Sequence, residues 1–457
     1  MRTSIYLSQF LALLLCFIFP LYFAIRGPAS WTDIEDLFSS LSERVQVLHG
    51  ELIFWRFSAP ASIPETELDA FVEPRGTKKE KKSSIPNGLA HCIYSFEQYP
   101  FLAEQVLQRK HARYSKQAPA QKAISDKLGY NAHFKKSRKG IETNARFLGK
   151  IAQVAREDYR TGLQVLENRG KAEFGVVDLA MGHLSRDWST QGAKERQAVF
   201  PAILGGLEQQ LGRNGTGKRI LVPGSGTGRL ASDIADLGYD VTANELDYGS
   251  ILTYNLLINH TTALHQHTLQ PFVTKWTHQA NPSSRYSVIT VPDHWPNKAV
   301  KLVEGDFLEM FPQGGEFDAI VTLFFIDMSE NVIDFLSNIH RLLKPGGIWI
   351  NLGPLKWGTY SALQLSTEEV LQLADFLGFD VDHTSRKNID SLYAEQPETL
   401  LKFTYGLRKL SDGTGSDAVL DRDKKGLKFI CLFNNESGSD VGCGITSGVV
   451  LSKAWKI

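Results

Sequence analysis

Three glycines at alternating positions, Gly224, Gly226 and Gly228, follow a short apolar run at 220–222 in the stretch RILVPGSGTGRLASDIADLGYDVTANELD, and an acid, Glu245, stands about 20 residues further on. Glycines in such a turn let a ligand come up against the backbone and take positive φ without a steric penalty. A carboxylate at that distance is placed to accept hydrogen bonds from ribose hydroxyls. The chemistry on offer is the binding of a nucleoside-bearing ligand. Two more acids, Asp306 and Asp327, each stand just past an apolar run. In MGHLSRDWSTQGAKERQ, Arg186 has the fork of donors that clamps a carboxylate, although the residues alone favour an ordinary helix-end salt bridge.

Such residues act together only if the chain delivers them to one place. Apolar runs at 220–222, 239–243, 300–303, 317–325 and 348–352, with another near 379–382, read as strands. Helical periodicity fills 230–237, 251–258, 332–343 and 367–377 between them. Gly346 and Gly347 are expected to end the third of these helices with left-handed geometry. Alternating strands and helices argue for an α/β fold with a doubly wound parallel sheet, whose ligands lie beyond the carboxyl ends of the strands. Gly224, Glu245, Asp306 and Asp327 all fall just after a strand, which predicts a single site.

The glycine spacing narrows the ligand. G-x-G-x-G departs from the G-x-G-x-x-G of dinucleotide sites, whose third glycine lets the helix pack closely in a loop that leaves room for a pyrophosphate. S-adenosylmethionine has no phosphate and needs space for a ribose and an amino-acid tail. The spacing therefore favours that cofactor over NAD or FAD, with a turn that holds no ligand as the remaining reading.

Across its 457 residues, 50 basic and 50 acidic side chains cancel, so no global field argues for a nucleic-acid partner. The segment 104–139 is rich in Lys and Arg with Tyr114, Tyr130 and Phe134 interspersed, and reads as a solvated helical face. Cys16, Cys92, Cys431 and Cys443 lack C-x-x-C spacing, and His260, His265, His267 and His278 have no acid or cysteine at ligand spacing, so no metal site is expected. Residues 5–25 are almost wholly apolar and long enough to cross a bilayer, which predicts a single-pass N-terminal anchor. The expected organisation is an anchor at 1–29, a linker at 30–90, a helical region at 91–211, the ligand-binding α/β domain at 212–410 and a tail at 411–457. S-adenosylmethionine is made in the cytosol and the three cysteines outside the anchor are odd in number, so the catalytic part is expected to face the cytosol.

LVPGSGTGRL, NELD, GDF, FFIDMSENVIDF and LKPGGIWINLGPL, in that order, resemble the carnosine N-methyltransferase (N2227-like) family, a branch of the class I S-adenosylmethionine-dependent methyltransferases. The likeness covers roughly 91–405. It implies a seven-stranded Rossmann-like sheet with a reversed last strand, behind a helical N-terminal region.

Carried over residue by residue, the resemblance implies that Arg186 holds the cofactor's carboxylate, with His183 where the family often has glutamine. Gly224 is the backbone-contacting glycine and Glu245 the ribose acid. Asp306 and Phe307 are the pair at the adenine, and Leu323 lines the cofactor. Asp327 contacts the acceptor's imidazole, and Tyr393 and Tyr405 close the acceptor pocket. Two departures stand out. Gly358 replaces a substrate-binding histidine of the animal enzymes, and the apolar last strand after Tyr405 is missing or is supplied by 427–433. The implied reaction is N-methylation of carnosine or a related small histidine-containing dipeptide. Methylation of another imidazole, such as a protein histidine, and a non-catalytic binding protein are the alternatives, and a homodimer is left open.

Overall fold

The computed structural model describes residues 85–159, 171–382, 387–392, 398–401, 404–409 and 427–433. Among the described residues four helices come first: α1 (Ile85–Glu97), α2 (Tyr99–Ser115), α3 (Pro119–Lys127) and α4 (Tyr130–Asp158). They are followed by α5 (Phe174–Trp188) and α6 (Ala193–Leu211). Tyr114 and Phe134 are buried, and their ring centroids lie 5.9 Å apart. The aromatics between the basic residues are thus a packed helical core, with the charges outside it.

The sheet begins with β1 (Arg219–Pro223), α7 (Arg229–Asp236), β2 (Asp240–Glu245) and α8 (Tyr248–His260). A small antiparallel pair follows, β3 (His267–Leu269) with β4 (Ile289–Val291), and then β5 (Lys301–Glu304) and β6 (Phe317–Leu323). The rest is α9 (Val332–Leu342), β7 (Leu343–Gly353), α10 (Thr367–Phe376), β8 (Phe379–Asp382), β9 (Lys387–Leu392), β10 (Thr404–Lys409) and β11 (Leu427–Phe433). Along the sheet the order is β5-β2-β1-β6-β7-β11-β10-β9, with β8 paired to β11.

Side-chain alternation explains why both faces are covered. Ile220 and Val222 point into a cluster with Ile203 and Leu207 of α6 and Ile234 of α7. Leu221, between them, points the other way and joins Ile320, Trp349 and Ile339 of α9. A strand buried on both sides has to be apolar throughout, which is the pattern of β1.

Four expectations need correction. The sheet has nine strands instead of seven, because β9 and β10 extend it as antiparallel strands and the tail contributes β11. The strand beside β7 is indeed Leu427–Phe433, but it runs parallel to β7 and is not reversed, in register from Lys428 opposite Ile348 to Phe433 opposite Gly353. The glycines at 346–347 do not end α9, which stops at Leu342; Gly346 takes φ +76° inside β7, where the register with β6 shifts between Phe317 and Ala319. The membrane anchor does not stand either. No helix among the described residues is long and apolar enough to cross a membrane, and residues 5–25 lie outside the described ones.

Candidate active site

After β1 the chain turns through Gly224, Gly226 and Gly228, whose φ angles are +62°, +57° and +76°. Two of these positions exclude a side chain on space as well. A Cβ on Gly224 would come within 2.3 Å of the Phe325 ring, and one on Gly228 within 2.5 Å of Tyr254. The turn is held from β2: Ser225 N donates to Asn244 O at 3.0 Å and Gly226 N to the Glu245 carboxylate at 2.7 Å. Glu245 also accepts from the N–H groups of Leu246 and Asp247, each at 2.8 Å. Burial pushes its carboxyl above the usual range, and these N–H donors pull against that shift. The buried Asn244 amide donates to Val303 O and Gly305 O at 3.0 and 2.9 Å, which sets the tip of β5, and with it Asp306, beside that of β2.

A cavity of about 610 Å³ opens here. The glycine loop and Glu245 contribute to its wall, as do His183 and Arg186 of α5, Leu323 at the end of β6 and, past it, Phe325 and Met328. Ser225 Oγ, buried in the same wall, has no hydrogen-bond partner among the described residues. His183 Nδ1 lies 3.3 Å from Ser250 Oγ, and burial, helped by the Arg186 charge, lowers its pKa to about 4. It is a neutral ring at physiological pH.

Arg186 forms a fork with its neighbour Asp187, Nε to Oδ1 at 2.6 Å and Nη2 to Oδ2 at 3.0 Å. Burial pushes the Asp187 carboxyl up, but the Arg186 guanidinium outweighs it and holds the carboxyl below the usual range. Asp187 Oδ2 accepts from Thr227 Oγ1 at 2.8 Å, and Trp188 Nε1 donates to Thr227 O at 2.8 Å. R-D-W-S therefore makes the helix-end salt bridge and also seats α5 on the glycine loop.

Asp306, Phe307, Asp327 and Gly358 do not line the cavity formed by the described residues. Asp306 Oδ1 accepts from Leu308 N at 2.9 Å. Phe307 stands behind the wall, its ring 5.6 Å from both Phe325 and Phe335. Asp327 is 4% exposed, and its Oδ2 accepts from Lys356 N at 3.0 Å. Burial raises its pKa to about 6, with the Lys356 N–H opposing the shift. The next residue, Met328, is exposed and lines the cavity. The loops after β6 and β7 are tied together, Ala362 N to Glu330 O at 2.8 Å and Ser361 Oγ to Ser329 O at 2.9 Å. Gly358 lies in the second loop, where a Cβ would come within 2.3 Å of the Tyr360 ring.

Tyr393 falls outside the described residues. Tyr405 lies in β10 opposite Ser391 of β9, and its side chain is not among those described. Ser391 and Leu392 do reach the cavity wall, a contribution no periodicity announced. Among the described residues, Asp233, Asp236 and His294 come within metal-ligating distance of one another, yet Asp233 is paired with Arg229 and Asp236 with His294.

A parallel sheet ordered β5-β2-β1-β6-β7, with a G-x-G-x-G loop after β1 and an acid at the tip of β2, is the architecture of a class I methyltransferase. The chain belongs to the carnosine N-methyltransferase family: that family's model matches residues 165–411. It is a methyltransferase that uses S-adenosylmethionine. Over 235 residues it is 31% identical to the Drosophila melanogaster carnosine N-methyltransferase unmet, covering 49% of this chain and 51% of that protein, about half its length. Over 399 residues it is 26% identical to the Mus musculus carnosine N-methyltransferase, covering 83% of this chain and 96% of that protein. The Schizosaccharomyces pombe carnosine N-methyltransferase is 28% identical over 255 residues, 50% of this chain and 68% of its own. Among solved structures, a putative methyltransferase from Bacillus halodurans aligns with TM-score 0.27 and 18% identity, over 38% of this chain and 68% of that one.

Proposed function

We propose that this chain methylates an imidazole nitrogen of carnosine or a related histidine-containing dipeptide, giving an anserine-type product. The observation that carries the proposal is the buried Asp327 carboxylate in the short turn past the end of β6, directly before the cavity-lining Met328. A carboxylate there would accept the N–H of the acceptor's imidazole. That fixes the tautomer, leaves the other nitrogen's lone pair free to attack and balances the cation as it develops. S-adenosylmethionine supplies a methyl group on a sulfonium that leaves readily, so the chain needs no strong base. Its work is to align acceptor and methyl group and to keep water out.

In this reading Arg186, beside neutral His183, takes the cofactor's carboxylate tail, and Glu245 takes the ribose hydroxyls over the Gly224 backbone. The unpartnered Ser225 Oγ fits a ligand that presses on this loop. Asp306 receives the adenine amino group beside Phe307, and Leu323 packs on the cofactor. Tyr393 and Tyr405 complete the acceptor side. Residues 212–410 form the transferase domain, 91–211 the helical region that carries Arg186, and 411–457 a tail that supplies β11.

A pH profile tests the pairing. Both the carboxylate, at about 6, and the acceptor's imidazole, near an ordinary value of about 6.5, must be deprotonated. As pH falls through this range each takes up a proton and stops contributing, so log kcat/KM for the acceptor is expected to fall with a slope near two. In Asp327→Asn the slope should drop to near one. A wild-type slope near one would count against an essential Asp327 carboxylate.

One feature supports a second acceptor, a histidine within a protein: Leu179, Leu246 and Met328 of the cavity wall are all exposed, an apolar rim on which a protein surface could rest. Labelled S-adenosylmethionine offered with histidine dipeptides, free histidine and a cell extract separates the two. Gly358→His gives an independent check. Tyr360, 55% exposed, can swing off the space the new ring needs. With a dipeptide acceptor the added imidazole is expected to raise carnosine turnover about five- to tenfold, the worth of one hydrogen bond. A larger native acceptor would instead lose turnover, since the ring fills room it requires.

A further inference from the structure

The end of α5 is held in an unusual way. A helix leaves its last four carbonyls without helical partners. Here Ser185 O accepts from Ser189 Oγ at 2.5 Å, Arg186 O from Arg196 Nη1 at 2.5 Å, Asp187 O from Arg229 Nη1 at 2.9 Å and Trp188 O from Asp293 N at 2.8 Å. Two of the four donors are guanidinium groups, which also suit the negative end of a helix dipole. One carboxylate joins them: Asp293 Oδ2 accepts from Arg196 Nη2 at 2.6 Å and Oδ1 from Arg229 Nη1 at 2.7 Å. The Asp293 and Arg196 side chains are 10% and 8% exposed, and that of Arg229 11%. Gly192 lets this knot close, for a Cβ there would lie 2.0 Å from Arg186 O.

We infer that Asp293, in the VPDHWPN segment between β4 and β5, is the positioning residue for the cofactor's carboxylate subsite. It acts through Arg196 and Arg229, which grip the carbonyls of Arg186, Asp187 and Ser189 and so set where the Arg186 guanidinium points. The inference rests on the reading that Arg186 takes the amino-acid tail. Asparagine at 293 has one carbonyl oxygen, so it can serve one arginine while its NH2 faces the other. Both guanidinium groups lose the charge opposite them; Arg229 keeps Asp233, Arg196 keeps only its carbonyl partners, and the helix end loosens around it.

The test is calorimetric binding of two ligands to full-length protein. S-adenosylhomocysteine carries the amino-acid tail, and 5′-methylthioadenosine shares its nucleoside and thioether but lacks the tail. Asp293→Asn is expected to weaken S-adenosylhomocysteine by about tenfold or more, roughly one decade per 1.4 kcal/mol, and to leave methylthioadenosine within about twofold. Equal losses for both ligands would mean a merely structural role and overturn the inference, as would no loss for either. Should Asp293→Asn fail to fold, Arg229→Lys carries the same comparison, since one ammonium cannot span Asp187 O, Asp233 and Asp293. Arg186→Ala separates the two layers. If it discriminates between the ligands and the Asp293 and Arg229 variants do not, the positioning role is wrong; if it does not discriminate, the assignment of Arg186 is wrong and takes the inference with it.

Discussion

Asp327→Asn is expected to lower turnover on an imidazole acceptor by about 10² to 10⁴ while leaving S-adenosylmethionine affinity nearly unchanged. The carboxylate sits outside the cavity wall lined by Glu245 and Arg186, so the cofactor should not sense its loss. The acceptor should. An amide oxygen can still take the Lys356 N–H that holds Asp327 Oδ2 at 3.0 Å, so the loop after β7 stays in place. What disappears is a negative charge, held in a dry position, against a cation that forms only as the methyl group moves. Single-turnover kinetics with cofactor affinity measured separately checks this. Full activity of the variant on every imidazole tested would mean that the nucleophile is of another kind.

Glu245→Gln should be nearly as damaging, through the cofactor. The carboxylate already accepts three backbone N–H groups, from Gly226, Leu246 and Asp247. Its remaining acceptor capacity is what the ribose hydroxyls would use. Glutamine turns one oxygen into an NH2 that faces the donors of its own loop, and it loses the charge-assisted bonds to the ribose. The expected cost in binding is on the order of 2 to 4 kcal/mol, and the unliganded protein should melt at lower temperature because a loop N–H loses its acceptor. Calorimetry on folded protein reads the binding loss directly, and unchanged affinity would remove Glu245 from the site.

The contrast between these residues shows what a sequence exposes. Glu245 and the glycine loop were legible because they sit within 30 residues of one another on a β-α-β unit, whose turn chemistry and side-chain period are local. The strand at 317–325 was legible too, but not its end: it stops at Leu323, where Phe324 takes φ +52°, a conformation no pattern of apolar residues predicts. Asp327 was visible as an acid past a strand, whereas its bond to Lys356 N belongs to the packing of two separate loops. Asp293 gave no signal at all. Its partners Arg196 and Arg229 lie 97 and 64 residues away, and nothing near it in the chain marks it as different from any loop aspartate. The reversed last strand was wrong for a related reason, because pairing direction depends on how the chain returns to the sheet and not on the composition of 427–433.

The same separations bear on how the protein lives between cofactor encounters. Thr227 reaches Asp187 across 40 residues, Arg229 reaches Asp293 across 64, and Arg196 reaches Asp293 across 97. No fragment of the chain shorter than that span contains the knot, so it is lost as soon as any of its segments opens. A ligand that needs the knot intact binds the complete fold and not the opened one. At a hundred times its dissociation constant such a ligand adds about 2.7 kcal/mol to the native state by mass action. A cell short of S-adenosylmethionine would therefore lose this enzyme to proteolysis as well as to idleness, and its abundance would follow the methyl supply.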